Sequence, residues 1–282
     1  MAPLVSINLC CYNSEKYLKD TLESILKQDY KDWELIVIND GSSDSTEKIV
    51  MEYKEKGYPV IYHYQENMGL GFSRNKALGI SRGDYIAFID HDDMWLPEKI
   101  KKQVDILEHN REIGLVYSNL FIMKNGRQTV CFRKKQPEGY VFDKFLYHYP
   151  IAIPTVMIRK NSLDCIGDFF DANLNLCEEY ELFMRVLYRS KAAYIDEPLA
   201  VYRVHPDMGS LKFIERWPDE MAYIIEKFEG MDYSFKEKYK AGIAYMNAKI
   251  GYYRARAEMM NNNRIKAREH LYPFRMTDYR FY

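Results

Sequence analysis

The sequence predicts an α/β protein in which a mostly parallel, doubly wound sheet is flanked by helices. Short apolar runs alternate with segments of helical periodicity along the first 122 residues, as in chains of βαβ units. Polar or acidic residues directly follow three of these runs. Because ligands of such sheets bind beyond the carboxyl ends of the strands, we expect one site on one rim of the sheet.

Five apolar runs are predicted strands because they are short and rich in β-branched and aromatic residues. The runs are Leu4–Leu9, Trp33–Ile38, Val60–Tyr64, Tyr85–Ile89 and Leu115–Ile122. The first leads into Cys10-Cys11-Tyr12-Asn13, the second into Asn39-Asp40-Gly41, and the fourth into Asp90-His91-Asp92-Asp93. These three segments should therefore converge on the same rim.

Helices are predicted between the strands from their caps and their apolar faces. Ser14 can cap the first, and Asp44 with Glu47 resembles a capping box for the second. A third lies within Gly69–Ile80, and Pro97 suits the first turn of a fourth. Their apolar faces are carried by Leu18, Leu22, Ile25 and Leu26, by Ile49, Val50 and Tyr53, and by Ile100, Val104 and Leu107.

Composition excludes several classes of protein. The chain has 282 residues with 40 basic and 41 acidic side chains, a balance that does not favour a nucleic-acid partner. Five cysteines without metal-type spacing indicate a reduced, cytoplasmic chain. No signal-like N-terminus and no run of about eighteen apolar residues is present in the sequence.

The acidic stretch Asp90–Asp93 has two interpretations. Like charges gathered at one strand end repel, and a divalent cation bound by oxygen ligands, such as Mg²⁺ or Mn²⁺, would relieve that repulsion. Alternatively, the Asp residues lie in a solvated loop and cap the helix that begins near Pro97.

The segment Gly69-Leu70-Gly71-Phe72-Ser73-Arg74 resembles a dinucleotide-binding fingerprint only superficially. Arg74 stands where the third glycine is needed, and the segment is not in the first βα turn, so we reject a nicotinamide site. Arg74 either points into the rim or lies on the solvated face of its helix.

Seven segments occur in an order that is typical of one large family. They are Val5–Asn13, Glu34–Asp44, Asn67–Asn75, Asp90–Asp93, Gly167–Asp171, Cys177–Leu182 with Arg185, and Val201–His205. Together they resemble the inverting, nucleotide-sugar-dependent glycosyltransferases of the GT-A fold, family-two type. The resemblance covers about residues 3 to 207. It implies a GT-A, Rossmann-like sheet flanked by helices, with a helical extension at the C-terminus.

The resemblance implies a donor-binding role for seven residues. Asp40 matches the acid that holds the nucleotide base or ribose, although an Asp before Gly41 also forms turns. Arg74 matches a donor-side basic residue near the base or the diphosphate, and Arg203 is a candidate to hold the phosphates. The full donor-binding set is Cys10, Tyr12, Asp40, Arg74, Asp90, His91 and Arg203.

The same resemblance implies a metal-binding DxD motif at Asp90-His91-Asp92. Asp92 is then the direct ligand of Mn²⁺ or Mg²⁺, with His205 joining it or the diphosphate. The chemistry accounts for the cation, because departure of a nucleoside diphosphate builds negative charge that a divalent ion stabilises. A histidine in a loop also commonly has neither role.

The general base is the chief departure from the family pattern. Relatives carry Glu-Asp where this chain has Glu178-Glu179, which implies Glu179 as the base with one additional methylene. Glu178 is the competing candidate. In a third interpretation, Glu178, Glu179 and Glu181 only open a helix, where the helix dipole favours acids.

These implications define an expected function and domain organisation. Residues 1–210 form the catalytic domain, with a nucleotide-sugar-binding half (1–118) and an acceptor half (119–210), followed by a helical region (211–282). The enzyme transfers a sugar, most simply from a UDP-sugar, to a glycan or lipid-linked glycan by single displacement in the synthesis of a surface polysaccharide or glycoconjugate. The alternatives are a non-catalytic nucleotide- or glycan-binding relative, and a nucleotidyltransferase, for which Cys10–Ser14 supplies no basic residue.

The C-terminal region is predicted to be helical from about residue 213 to 271, with Tyr239, Ile243, Met246 and Ile250 on one face. Asn261–Asn263 interrupts the pattern. The segment from Gly251 to Tyr282 contains seven basic and three acidic residues. The aromatic residues of this end are Tyr272, Phe274, Tyr279, Phe281 and Tyr282. This end either touches the inner face of the cell membrane or is an ordinary solvated helix with a docked tail.

Overall fold

A computed structural model describes residues 2–209 and 214–274. The chain divides into two compact units. The first comprises the chain up to Val141 together with Pro150–Pro206, and the second comprises Phe142–Tyr149 together with the chain from Asp207 onward. Among the described residues, no helix has the length and apolar character needed to cross a membrane.

One sheet of nine strands organises the first unit. The strands are β1 (Val5–Cys11), β2 (Trp33–Asp40), β3 (Val60–Gln65), β4 (Tyr85–Asp90), β5 (Met94–Trp95), β6 (Ile113–Lys124), β7 (Arg127–Val130), β8 (Met157–Arg159) and β9 (Lys191–Val204). Their order is β3-β2-β1-β4-β8-β6-β9-β5, and β7 pairs with β6.

The sheet is parallel among β1 to β4, where the sequence predicts βαβ units, and again between β6 and β9. β1 pairs in parallel with β2 and β4, β2 with β3, and β6 with β9. β8 is antiparallel to both β4 and β6, β5 is antiparallel to β9, and β7 is antiparallel to β6. The sheet is therefore mixed rather than mostly parallel as predicted, because short strands insert between and beside the parallel ones. The expected α/β class is confirmed.

The five predicted strands and the predicted helices are present. The helices of the first unit are α1 (Leu18–Leu26), α2 (Thr46–Glu55), α3 (Leu70–Ile80), α4 (Lys99–His109), α6 (Lys160–Asp164) and α7 (Glu178–Arg189), and a 3₁₀ turn spans Ile153–Thr155. The apolar faces of α1, α2 and α4 join the core that also contains β1, β2 and β4. Burial of these faces holds the helices on the sheet.

The start of α2 differs from the predicted capping box. The N-cap residue is Ser45, and its side chain makes no capping bond. Instead, Asp44 accepts hydrogen bonds from Thr46 N (3.0 Å) and from Glu15 N (2.9 Å). Asp44 therefore connects the loop after β1 to the start of α2.

The second unit is helical, as the sequence predicts. It contains α5 (Phe142–Phe145), α8 (Trp217–Glu229), α9 (Phe235–Lys238), α10 (Lys240–Met260), α11 (Arg264–Leu271), and 3₁₀ turns at Ile214–Arg216 and Tyr272–Phe274. Ile243, Met246 and Ile250 are buried, and Asn261–Asn263 separates α10 from α11. Of the aromatic tail, Tyr279, Phe281 and Tyr282 lie outside the described residues.

Candidate functional site

The rim beyond β1, β2 and β4 brings together the polar segments that the sequence singles out. In the strand register, Cys10 lies between Ile38 of β2 and Asp90 of β4. Burial raises the pKa of the Cys10 thiol to about 12, with Arg74 opposing and the nearby carboxylates adding to the shift. Cys10 is therefore a neutral thiol at this rim.

The loops after β1 and β2 are bound to each other. Asn13 N donates to Ser42 Oγ (2.9 Å), and Ser43 N donates to Asn13 Oδ1 (2.9 Å). Asn13 has φ 49°, a left-handed conformation that asparagine tolerates better than most residues. Tyr12, directly before it, is 51% exposed. The pair of loops thus forms a fixed wall from which the Tyr12 ring projects.

Asp40 is buried, and its carboxylate organises the loop that precedes α3. Oδ1 accepts from Met68 N (2.9 Å) and from Gln65 Nε2 (2.7 Å), while Oδ2 accepts from Gly69 N (2.9 Å). Gly41, at φ 77°, would place a Cβ 2.8 Å from Asn67 N. The Asp40 carboxylate therefore holds the loop at residues 65–69 against the end of β2.

Arg74 is buried within the rim rather than on the solvated face of its helix. Its guanidinium donates to Glu178 Oε1 (2.6 Å) and to Asp90 Oδ1 (3.0 Å), and it lies 5.4 Å from the Phe170 ring centroid. Burial alone would lower the pKa of Arg74, but Asp90 and Glu178 raise it above its ordinary value. The cation is therefore shared by two carboxylates from distant parts of the chain.

The two candidate bases begin α7 but have different surroundings. The Glu178 side chain is 4% exposed and paired with Arg74. Glu179 is half-buried, and burial, opposed by Arg74 and reinforced by Glu178 and Asp90, raises its pKa to about 8. A carboxylate with a raised pKa is a stronger base, as general base catalysis near neutral pH requires.

Asp92, in the loop between β4 and β5, lies next to His205, which directly follows β9. Asp92 Oδ2 lies 2.8 Å from His205 Nε2, and the His205 ring packs on Tyr17 with centroids 4.9 Å apart. His205 Nδ1 is buried without a hydrogen-bond partner in the described parts of the chain. A carboxylate and an imidazole that converge on one point suit Mn²⁺ or a similar divalent ion.

Two protein ligands do not complete a coordination sphere. Within residues 2–209 and 214–274, no three His, Cys, Asp or Glu side chains cluster as ligands. A divalent ion on Asp92 and His205 would therefore need additional oxygens from water or from a bound phosphate group. Such incomplete protein ligation is usual for metals that bind together with substrate phosphates.

Asp93 and Arg203 hold the acidic loop in place. Asp93 is fully buried, and its Oδ1 accepts from Arg203 N (2.9 Å). The Arg203 guanidinium donates to Asp92 O (2.9 Å) and to Asp20 Oδ2 (2.9 Å), and it stacks over Tyr17 at 4.5 Å. Arg203 therefore connects the acidic loop to Asp20 of α1, and its expected role at the diphosphate stays a prediction.

A turn beside the end of β4 is fixed by side chains of β5 and α4. Trp95 Nε1 donates to Pro154 O (2.7 Å), Gln103 Nε2 to Thr155 O (2.7 Å), and Lys99 Nζ to Val156 O (3.4 Å). These residues of β5 and α4 hold three successive carbonyls. The register of β8 against β4 places the turn next to the rim.

The family of the chain follows from comparison with known proteins. The sequence profile described as "Glycosyl transferase family 2" matches residues 6–170. The chain belongs to this family. As a family 2 member it is a glycosyltransferase, so the resemblance and the enzyme class expected from the sequence are confirmed.

Curated relatives with similar sequences are also glycosyltransferases by name. An uncharacterized glycosyltransferase of Methanocaldococcus jannaschii is 36% identical over 72% of this chain and 71% of its own length. TuaG of Bacillus subtilis, named for teichuronic acid biosynthesis, is 30% identical over 72% and 79%. WfgD of Escherichia coli, named a UDP-Glc:α-D-GlcNAc-diphosphoundecaprenol β-1,3-glucosyltransferase, is 30% identical over 65% and 70%.

Solved structures identify the fold. Residues 1–349 of S. aureus TarS superpose with a TM-score of 0.69 at 19% identity, covering 98% of this chain and 92% of that one. The mannosyltransferase PcManGT of Pyrobaculum calidifontis, solved with GDP-Man and Mn²⁺, gives 0.69 at 16% identity, covering 97% and 75%. The family 2 chain therefore has the GT-A fold.

Proposed function

We propose that this family 2 enzyme transfers a sugar from a nucleotide-sugar donor to a glycan or lipid-linked glycan by one metal-dependent displacement that inverts the anomeric carbon. The observation that carries the proposal is the bridge through Arg74. It joins the strand end with Asp90 to the helix start with Glu178 and Glu179. This bridge supports the proposal that donor-side acids and a candidate base belong to one site.

The donor is proposed to be a UDP-sugar. WfgD is named for UDP-Glc, and TarS has been solved with UDP and with UDP-GlcNAc. In this chain Asp40, together with Cys10 and Tyr12, would receive the nucleoside, and Asp90 with His91 would receive the ribose or the sugar. The Tyr12 ring, which is 51% exposed, offers a stacking surface for a base.

Glu179 is the proposed general base. It would accept the proton of the acceptor hydroxyl as that oxygen attacks the anomeric carbon from the face opposite the diphosphate. Its half-buried position and its pKa of about 8 support this role over Glu178, which is paired with Arg74. No covalent intermediate on the enzyme is needed.

Asp92 and His205 are the proposed ligands of Mn²⁺ or Mg²⁺. Their convergence at 2.8 Å and the mixed carboxylate and imidazole donor set support the assignment. The ion would supply positive charge to the departing diphosphate. Arg203 would keep Asp92 in position through its bond to the Asp92 carbonyl.

The organisation around the site is proposed as follows. Residues 1–118 bind the donor, residues 119–210 contribute the acceptor side, and residues 211–282 form an additional region. Synthesis of a surface polysaccharide agrees with the names of TuaG and WfgD. Contact with the inner face of the cell membrane is supported by Met260 and Ile265, 79% and 76% exposed, near the basic Arg264 and Arg268.

A transfer assay tests the proposal. The protein is incubated with Mn²⁺, a panel of UDP-, GDP- and dTDP-sugars, and a synthetic lipid diphosphate that carries one sugar. We expect one donor to be consumed and the product to have inverted anomeric configuration by NMR. We expect Glu179→Gln to lower turnover by about a hundredfold or more while nucleotide binding persists. A product of retained configuration, or full turnover in Glu179→Gln, would contradict the mechanism.

A further inference from the structure

We infer that Arg74 is a positioning residue for sugar transfer, and that Glu178 is its anchor rather than a base. By bonding to Asp90 and Glu178 together, Arg74 fixes the first turn of α7 against the end of β4 and so sets the direction of Glu179. This inference rests on the proposed function and extends it to the link between the donor and acceptor sides.

The geometry of Arg74 carries the inference. Its guanidinium reaches Glu178 Oε1 through Nη1 at 2.6 Å and Asp90 Oδ1 through Nη2 at 3.0 Å. The side chains of Arg74 and Glu178 are each 4% exposed, whereas that of Asp90 is 31% exposed. Two nitrogens of one planar group thus hold a buried anchor on one side and a ligand-accessible carboxylate on the other.

The segment that leads into α7 is also attached to the helix of Arg74. Asn75 Nδ2 donates to Phe170 O, and Phe170 N donates to Asn75 Oδ1, both at 2.8 Å. Phe170 in turn lies under the Arg74 guanidinium. Adjacent residues of α3 therefore fix both the approach to α7 and its first turn, which leaves Glu179 little freedom to turn away.

The pKa of Glu179, as well as its position, depends on the ion pairs of Arg74. The groups facing Glu179 are Arg74 from α3, Glu178 from α7 and Asp90 from β4. Arg74 lowers the pKa of Glu179, and Glu178 raises it. Removal of Arg74 should therefore raise the pKa of Glu179 further, and neutralisation of Glu178 should lower it.

The test compares Arg74→Met, Arg74→Lys and Glu178→Gln. We expect Arg74→Met to reduce kcat about a hundredfold, because small displacements of a reacting group are costly. In Arg74→Met the acid limb, meaning the rise of kcat/KM with pH as the base ionises, should move to higher pH by about one unit. Glu178→Gln should move that limb down. Lysine keeps the charge but not the two-pronged geometry, so Arg74→Lys should keep the limb and lose kcat.

Glu181→Gln is the matched control. Glu181 forms a second buried ion pair on α7, with Arg185 at 2.6 Å, and Arg185 donates to the carbonyls of Asp168 and Phe169. Its loss should lower Tm as the Arg74 variants do, without moving the acid limb. If Arg74→Met proves too unstable, the double variant Arg74→Met/Glu178→Met removes the cation and its buried partner together, and its kcat should remain low.

The outcomes separate the inference from the proposed function. One outcome is that the acid limb stays at the wild-type pH in both Arg74→Met and Glu178→Gln, and that kcat falls only as far as Tm does, as in Glu181→Gln. Arg74 would then be only a structural residue. Loss of turnover in Glu178→Gln equal to that in Glu179→Gln would make Glu178 the base. If wild type transfers no sugar at all, the proposed function fails. NMR titration of the ¹³C-labelled Glu179 carboxyl in the same variants then still tests the opposite pKa shifts.

Discussion

At the residue scale, the proposed chemistry depends most on the raised pKa of Glu179. Burial and the charges of Glu178 and Asp90 raise its pKa to about 8, against the lowering effect of Arg74. Only the ionised carboxylate can accept a proton. We therefore expect kcat/KM to rise with pH through about 8 and to level off above it. Initial rates at fixed donor and Mn²⁺ concentrations measure this limb.

Glu179→Asp is the informative partner variant for that profile. It keeps a carboxylate but removes one methylene and restores the length that the family pattern contains. We expect a lower kcat with an acid limb still present, because the base remains titratable but is displaced. An identical limb in Glu179→Gln would show that another group titrates.

The sequence marks candidate site residues where a motif carries them, but it does not reveal the contacts that join distant parts of the chain. Asp90, Asp92 and Glu179 stand at positions that the family resemblance marks. The pairing of Arg74 with Glu178 joins residues 104 positions apart, and the stacking of Tyr17 on His205 joins opposite ends of the first unit's sequence. No local pattern encodes such contacts. The sequence alone therefore did not decide whether the Arg74 side chain points into the rim or lies on the solvated face of its helix.

At the scale of elements, α3 is fastened to the segment before α7 by one side chain. Asn75 makes reciprocal 2.8 Å bonds with the main chain of Phe170. We expect Asn75→Ala to lower the free energy of unfolding by about 2 to 4 kcal/mol, since two main-chain groups lose partners. Urea unfolding measures this change. Lys76→Ala, an exposed change on the same helix, should be nearly neutral, and equal losses in both variants would contradict the assignment.

Lys99 on α4 provides a second test, because it is fully buried and its nearest partners are neutral. Its Nζ donates to Gln103 Oε1 (2.7 Å) and lies 4.2 Å from the Trp95 ring centroid. Burial lowers the pKa of Lys99 well below its ordinary value. Between the folded and the unfolded pKa, folding must then release a proton, and the stability that this costs returns as pH rises toward the unfolded pKa.

We therefore expect the stability difference between wild type and Lys99→Met to depend on pH. Methionine has no proton to release, so the difference should shift in favour of wild type as pH rises toward the ordinary lysine pKa. Urea unfolding at about pH 6 and about pH 9 measures this slope. A stability difference that is the same at both pH values would contradict the lowered pKa of Lys99.

The strands that the sequence revealed are those with simple apolar runs between turn residues. β8 has three residues and β5 has two, too few for any periodic signal. β9 was missed because its apolar run is interrupted by Asp196, Glu197 and Pro198, where its register against β6 shifts. Tertiary pairing, rather than local propensity, defines these elements.

At the scale of the whole molecule, the catalytic fold was predictable and the composition of the second unit was not. Phe142–Tyr149 belongs to the same unit as the chain after Asp207. Phe142 packs on Phe228, Phe235 and Tyr239 with ring centroids 4.8 to 5.8 Å apart. Because aromatic residues occur throughout this chain, their number gave no indication of which ones cluster.

The most direct test of the central claim, a metal-assisted nucleotide site at Asp92 and His205, is thermal unfolding with UDP in the presence and absence of Mn²⁺. UDP at a hundred times its dissociation constant should add about 2.7 kcal/mol of stability. We expect this stabilisation to require Mn²⁺ and to disappear in Asp92→Asn and in His205→Ala. Mn²⁺-independent stabilisation that persists in both variants, or none with any nucleotide tested, would contradict the account.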